Sequence, residues 1–281
     1  MQTSIIIHKS ISLSIAFLKI MHLFHRVFRR VFPRLRCFVT ILSVTQYNHF
    51  MIIRRFDLRN CTEARGCVVS IDVLRAFTTA AYAFAAGAAE LLCTDSTEAA
   101  LRLKRSHPGS LAMGEESDGA DIGFFEMNNS PFRLREHDLR GRTIIHRTTS
   151  GTVGLVRPQE ASHLLACSLV NAAATVRYIR TLGPQELDLI ETGIHPGGRG
   201  DEDTACADYI ESILQGEPIP EDQIIYRVLH SEEIRFFEKG DVLRFPTEDL
   251  DLAVRIGCFD FAMTGTRLAP DCVRLKAVPV L

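Results

Sequence analysis

Hydrophobic positions along the chain fall in short runs, and these alternate with longer segments whose apolar residues recur three and four apart. From residue 67 the order is VVSI at 68–71, the alanine-rich TTAAYAFAAG, ELLC at 90–93, DSTEAALRLKRS, and SLAM at 110–113. After a long polar loop come TIIH at 143–146, the turn TTSGT, LLAC at 164–167, and SLVNAAATVRYIRTL at 168–182, which stops at Gly183-Pro184. DLIE at 188–191 then leads through HPGGRGDED into another helical segment. Short apolar runs predict buried strands and the 3.6-residue spacing predicts helices, so the chain reads as βα units with short connections. The expected fold is α/β, a layered α/β/α arrangement with a mainly parallel or mixed sheet. Asp95 and Glu98 read as a capping pair before one helix. From about Glu221 the chain is more polar and more helical, and the closing VRLKAVPV reads as an edge strand. No repeat of fixed period occurs.

The first fifty residues break this rhythm. They are basic and apolar, and Lys9, Lys19 and the Arg26 to Arg36 cluster interrupt them before they reach the length of a membrane span. A secretory signal would carry its charges ahead of its apolar region, whereas here most follow it. One reading is a basic amphipathic helix on a membrane surface. The other is an extension over residues 1–50 that is no part of the fold, with MIIRRFDLRN from Met51 opening a single α/β domain over 51–281.

Charge and cysteine usage narrow the function. Seven of the 32 basic residues lie in those first fifty positions, which hold no Asp or Glu, so residues 51–281 carry 25 bases against 34 acids, a net of −9. A nucleic-acid partner, which needs clustered Lys and Arg, is not expected for this body. Eight cysteines are scattered without a CxxC or a paired spacing, several inside apolar runs such as LLC at Cys93 and LLAC at Cys167. A reduced, cytoplasmic protein without zinc site or disulfide framework is expected, neither membrane-bound nor excluded from forming a homo-oligomer.

In open α/β sheets, ligands collect at the carboxyl ends of strands. Four such ends are loaded with polar groups here. Asp72, Arg75, Thr78 and Thr79 follow VVSI; Glu115, Glu116, Asp118 and Asp121 follow SLAM; Arg147, Thr148, Thr149, Ser150, Gly151 and Thr152 follow TIIH; His195, Arg199, Asp201, Glu202 and Asp203 follow DLIE. Hydroxyls and free backbone N–H groups at a helix start receive anions, Arg grips phosphate bidentately, and a hard cation takes carboxylate oxygens. Together these are the parts of a metal-assisted phosphate-ester site. The bland alternatives are an Asp72–Arg75 ion pair capping the next helix, and a solvated loop for Glu116 and Asp118.

One helix gives an independent argument. In EDTACADYIESILQ, Cys206, Tyr209, Ile210, Ile213 and Leu214 form an apolar stripe, and continuing it backward reaches Asp203 and Glu202. Both carboxylates would then flank the buried face, an inward direction that simple complementation of the helix dipole does not require. Other phosphate motifs are missing: there is no GxxxxGK[ST], no GxGxxG, no GxSxG, and Leu74 stands where a DxD phosphatase has its second acid.

Read in order, SIDVLRAFTTA, GE at 114–115, GFFEMNNSP at 123–131, TTSGT at 148–152, SLVNA at 168–172 and EDTACA at 202–207 resemble the landmarks of the 2-phosphosulfolactate phosphatase family, over nearly all of residues 51–281. The resemblance implies a magnesium-dependent phosphatase acting on a small anionic phosphate ester, 2-phospho-3-sulfolactate, to give 3-sulfolactate, a coenzyme M precursor. Asp72, Arg75, Thr78 and Thr79 match its first motif, Glu115 its GE, and Asn129, Ser130 and Pro131 its NSP. Thr148, Thr149, Gly151 and Thr152 match its TTNGT, with Ser150 in place of asparagine, while Asn171, Glu202, Asp203 and Cys206 match the later helices. Phe125 stands in place of an acid and Asn128 in place of glycine, so Glu126 or Glu191 is the expected substitute if that acid bound metal.

On this reading Asp72, Arg75, Glu202 and Asp203 are the catalytic residues, and Asp72, Glu115, Glu202 and Asp203 hold Mg2+ directly or through water. Arg75, Arg147 and the 148–152 turn, with Thr78, Thr79, Asn129, Ser130 and Asn171, would bind substrate. Arg147, His195 or Arg199 would receive its second anionic group. The alternative is a catalytically inactive, anion-binding relative.

Overall fold

The computed structural model describes residues 51–280, except 117–118 and 196–197, together with Thr3–Ser4. The expected extension therefore lies almost wholly outside the described residues. Its one described piece, β1 (Thr3–Ser4), runs antiparallel against Ile53 and Arg54 at a sheet edge.

The apolar runs become strands: β2 (Ile52–Asp57), β3 (Arg65–Ile71), β4 (Glu90–Thr94), β5 (Leu111–Gly114), β6 (Thr143–Arg147), β7 (Glu160–Cys167) and β8 (Glu186–Glu191). A two-residue pair, β9 (Ile194–His195) and β10 (Gly198–Arg199), follows, and β11 (Phe261–Ala269) and β12 (Cys272–Pro279) close the chain. The helices are α1 (Ala76–Ala85), α2 (Thr97–Ser106), α3 (Gly151–Val156), α4 (Ala172–Leu182), α5 (Asp201–Gln215), α6 (Glu221–Leu229), α7 (Ile234–Glu238) and α8 (Glu248–Ala253). Helix α2 is capped by Ser96, whose hydroxyl accepts from the Ala99 N–H at 3.2 Å, one residue beyond the expected Asp95. Helix α4 ends where expected, at Gly183 in the left-handed conformation.

The main sheet has the order β1-β2-β8-β3-β7-β11-β12-β4-β6-β5. Strands β2, β8, β3 and β7 are mutually parallel, as are β4, β6 and β5. The hairpin β11–β12 joins the two blocks through three antiparallel pairings, so the blocks run in opposite directions. VRLKAVPV is thus a central strand, not an edge: its neighbours are β11 and β4. The layered α/β arrangement with a mixed sheet is as expected.

One core lies between the blocks, where Val68, Leu164, Ala166 and Ile190 from the first meet Leu91, Cys93, Met113 and Ile144 from the second around Phe77, Ala80 and Leu155 of α1 and α3. In a flat sheet the carboxyl ends of opposed blocks would point to opposite edges. Helix α3 packs on both β3 and β4, so the twisted sheet bends around α1 and α3 and brings those ends together. A second core on the outer face of the first block packs Ile71, Leu165 and Leu189 under α4, α5 and α6. The outer face of the second block carries α2, with Leu92 and Ile145 against Ala100 and Leu103. All seven described cysteines are free, six of them buried.

Candidate active site

The meeting of strand ends leaves a cavity of about 120 Å³, lined by Asp72, Arg75, Glu115, Glu116, Thr149 and Ser150 among others. Its far wall comes from the segment after α6: Glu233, Arg235, Phe236, Phe237 and Phe245. The C-terminal third is therefore in part a cap over the site.

Asp72 leaves β3 buried and serves two purposes. Its Oδ1 accepts the Ala76 N–H at 2.8 Å, closing the first turn of α1, while Oδ2 stands 3.3 Å from the Thr192 hydroxyl. The capping reading thus holds for one oxygen, but Arg75 is not its partner. The Arg75 guanidinium, also buried, donates from Nη1 to the Arg244 carbonyl at 2.6 Å and to Asp249 Oδ2 at 3.0 Å. Its Nη2 donates to Glu115 Oε2 at 2.5 Å, and its plane lies 4.7 Å over the Phe245 ring. Glu115 is oriented by Asn129, which donates to its Oε1 at 2.8 Å.

Behind Asp72 stand the two carboxylates of the α5 start. Both are buried, as the apolar stripe of that helix requires. Asp203 Oδ1 accepts the Val73 N–H at 2.8 Å and its Oδ2 the Gly193 N–H at 2.7 Å. Thr192 lies between Asp72 and Asp203, 3.3 Å from each, yet its hydroxyl is 2.9 Å from the Ile71 carbonyl. One O–H cannot satisfy three acceptors. Among the described residues Glu202 Oε2 has no hydrogen-bond partner.

The electrostatics follow from this crowding. Burial, with the Glu115 and Glu233 carboxylates adding to it, pushes Asp72 up to about 6. Burial and the neighbouring Glu233, Asp72 and Asp201 push Glu202 up to about 8. Burial, Glu202 and Asp72 raise Asp203 well above the usual carboxylate range. Under-donated carboxylate oxygens that destabilise one another's charge are a donor set suited to a hard cation. Among the described residues no three His, Cys, Asp or Glu side chains are grouped so as to hold a metal by themselves.

The remaining sequence candidates divide sharply. Thr148, Thr149 and Ser150 line the cavity. Thr148 and Thr152 are buried and cap each other: the Thr148 N–H donates to Thr152 Oγ1 at 2.9 Å and the Thr152 N–H to Thr148 Oγ1 at 3.1 Å. Gly151 packs so closely on Asp72 that a Cβ there would lie 2.6 Å from Oδ2. Thr78 and Thr79 are fully buried inside α1, their hydroxyls donating to the carbonyls of Val73 at 2.7 Å and Arg75 at 3.0 Å. Asn171 caps the 169–171 turn, accepting the Ser168 N–H at 3.0 Å. Ser130 donates to Asp249 at 2.7 Å. Arg147 donates to the Glu115 carbonyl at 2.5 Å, beside the cavity but outside its lining. Arg199 is exposed and 3.6 Å from Asp201, while Asp118 and the His195 side chain lie outside the described residues.

Neither expected substitute for the acid at Phe125 reaches the cavity. Glu126 is held by Lys104 at 2.5 Å, and Glu191 by Arg55 at 2.8 Å and Thr204 at 2.5 Å. Phe125 itself packs with Phe124 and the outer core, where a Cβ on Gly114 would meet its ring. Sequence reasoning missed Thr192, Glu233, Phe245 and Asp249, all brought in by tertiary structure.

A mixed α/β sheet whose strand ends converge buried acids, an arginine and hydroxyls on one cavity defines a candidate phosphoryl-transfer protein. The sequence profile of 2-phosphosulpholactate phosphatase matches residues 54–239, and the chain belongs to that family of phosphoric monoester hydrolases. Similar proteins include a "Probable 2-phosphosulfolactate phosphatase" of Bacillus subtilis strain 168, 32% identical over 197 residues, covering 69% of this chain and 85% of the relative. Those bearing the same description from Deinococcus radiodurans and Carboxydothermus hydrogenoformans are 36% identical over 161 residues and 40% over 151. They cover 57% and 52% of this chain, and 66% and 60% of their own lengths.

Proposed function

We propose that the protein is a magnesium-dependent phosphatase that hydrolyses 2-phosphosulfolactate, or a closely related phosphorylated 2-hydroxy acid, to the free hydroxy acid and phosphate. The observation carrying this reading is a cavity lined by buried Asp72 and Arg75, with the weakly donated Oδ2 of Asp72 and, behind it, the unpartnered Oε2 of Glu202, in a chain of this family. Magnesium, held by Asp72 and Glu202 with Glu115 and Asp203 behind them, would screen the charge of the phosphoryl oxygens and of the departing alkoxide. Arg75 orients the phosphoryl group through the N–H groups left over from its protein partners. Asp72 directs the attacking water at phosphorus, and Thr149 and Ser150 donate at the rim of the cavity. Glu115 and Asn129 hold Arg75 in place from one side.

The test is phosphate release from 2-phosphosulfolactate and a panel of phosphorylated 2-hydroxy acids, with magnesium and with chelator, beside Asp72→Asn. Turnover that needs magnesium and falls at least about 100-fold in Asp72→Asn is expected, since a positioned acid–base group alone contributes on that scale. Phosphate binding without turnover of any ester would replace this reading by that of a non-catalytic anion-binding relative.

A further inference from the structure

The cap does more than cover the cavity. Of the five N–H donors of Arg75, both on Nη1 are taken by the cap, through the Arg244 carbonyl and Asp249 Oδ2, and one on Nη2 goes to Glu115. Among the described residues, the Nε hydrogen and one Nη2 hydrogen remain for a ligand. Asp249 is fully buried, and its second oxygen is saturated as well, by the Ser130 hydroxyl at 2.7 Å and the Phe132 N–H at 3.0 Å. It ties three separate segments to one point: the turn after β3, the NSP turn at 129–131 and α8. The Phe245 ring completes the seat from the other side, lying under the guanidinium and against Gly119, where a Cβ would stand 2.4 Å from the ring. Gly119 has φ of +76°, so the acidic loop turns where it leaves room for this ring.

We infer that Asp249 is the positioning residue that fixes the Arg75 guanidinium for phosphate binding, a role that rests on the phosphatase reading above. An arginine side chain has many rotamers, and one held on three sides gives up little further freedom when phosphate arrives. Asp249 lies beyond residue 239, where the family match ends. The site is therefore completed by a part of the chain outside that match.

The test compares the full-length wild type with Asp249→Asn, Arg75→Lys and the double variant, using inorganic phosphate with magnesium as the titrated ligand and ester turnover as a second readout. Asp249→Asn keeps the volume and an oxygen for Ser130 and Phe132 while removing the charge opposite Nη1. Phosphate affinity is expected to fall about tenfold, or ~1.4 kcal/mol, with a comparable fall in kcat/KM. In the Arg75→Lys background the same substitution should change phosphate affinity by less than about twofold, because its effect runs through Arg75. Unchanged affinity in Asp249→Asn, or effects that simply add, overturns the inference. If Asp249→Asn does not fold, Asp249→Glu, which displaces the carboxylate by one methylene, carries the same comparison. A wild-type protein that neither binds phosphate nor releases it from any ester removes the phosphatase reading itself and this inference with it, a result visible before any substitution is made.

Discussion

An added methyl at Gly151 would lie 2.6 Å from Asp72 Oδ2 and 2.6 Å from the Ala76 Cβ, and neither neighbour is the free end of a flexible side chain. Asp72 is held by its bond to the Ala76 N–H, and Ala76 opens α1. Gly151→Ala therefore forces the acid or the helix start to move. Overpacking of this kind costs about 1–3 kcal/mol, and a shift of the acid by a fraction of an ångström should lower turnover by about tenfold or more. Thermal unfolding and phosphate release measure the two effects; wild-type turnover in this variant would remove Asp72 from the reacting centre. At this scale the sequence was legible where chemistry sits next to a strand end. Asp72, Arg75, Glu115 and the Thr149–Ser150 pair could be read because strand polarity alone points them at one place. Glu202 and Asp203 could be read because the apolar stripe of α5 gives them a direction. Thr78 and Thr79 were read in the same way, but their place in the first turn of α1 lets their hydroxyls fall back on carbonyls four or five residues earlier. Asp249 could not be read, since its partner Arg75 is 174 residues away and locally it is one acid among several at a helix start.

Strand β6 shows what an element contributes beyond its end. Its fourth residue, His146, is fully buried between Cys93 of β4 and Met113 of β5, and among the described residues neither ring nitrogen has a hydrogen-bond partner. Burial alone pushes its pKa from the ordinary 6.5 down to about 3, so it is neutral in the folded protein. In the unfolded chain it takes up a proton near its ordinary pKa. Stability from this residue is therefore fully present above pH 6.5 and is lost as pH falls from there toward 3, by up to about 1.4 kcal/mol per pH unit. His146→Met, similar in volume and without a titrating group, should lower the stability at pH 7 relative to that at pH 5 by about 2 kcal/mol in urea unfolding, compared with the wild type. An identical pH dependence in the two proteins would mean that His146 is protonated in the fold. The same scale explains the misplaced last strand. VRLKAVPV alternates apolar and polar residues, with Val273 and Leu275 inward and Lys276 exposed. That alternation reports one wet face, not an unpaired edge, and β12 has hydrogen-bonded neighbours on both sides. Its partner β11 offers even less signal, because Gly265 sits at its centre where a Cβ would stand 2.8 Å from Leu164.

Among the described residues, the bend between opposed sheet blocks brings buried carboxylates together, and the buried arginine beside them is already committed to other acids. Arg75 is committed to Glu115 and Asp249, and Arg55 to Glu191, Asp208 and Glu211. Asp72, Glu202 and Asp203 are left to raise one another's pKa values, with Glu233 of the cap adding to the effect. The α/β rhythm was legible because each strand and helix carries its own period; this convergence was not, because it depends on how ten strands twist and bend together. Its thermodynamic consequence has a definite sign. A carboxyl whose folded pKa is raised stabilises the fold below its unfolded pKa and loses that contribution as pH rises through the folded value. For Asp72 this window runs from 3.8 to about 6, and for Glu202 from 4.5 to about 8. The metal-free protein should therefore lose stability from these groups between about pH 4 and pH 8. A divalent cation answers the same charge that protons answer at lower pH, so the two compete. Magnesium should raise the melting temperature little at pH 5 and progressively more toward pH 8, approaching ~2.7 kcal/mol of added stability at a hundred times its Kd. Asp72→Asn should melt higher than the wild type in chelator at pH 8, and should respond less to magnesium, whether or not a substrate is ever turned over. A magnesium shift that is flat across this range, or equal in Asp72→Asn, would place the cation away from these carboxylates.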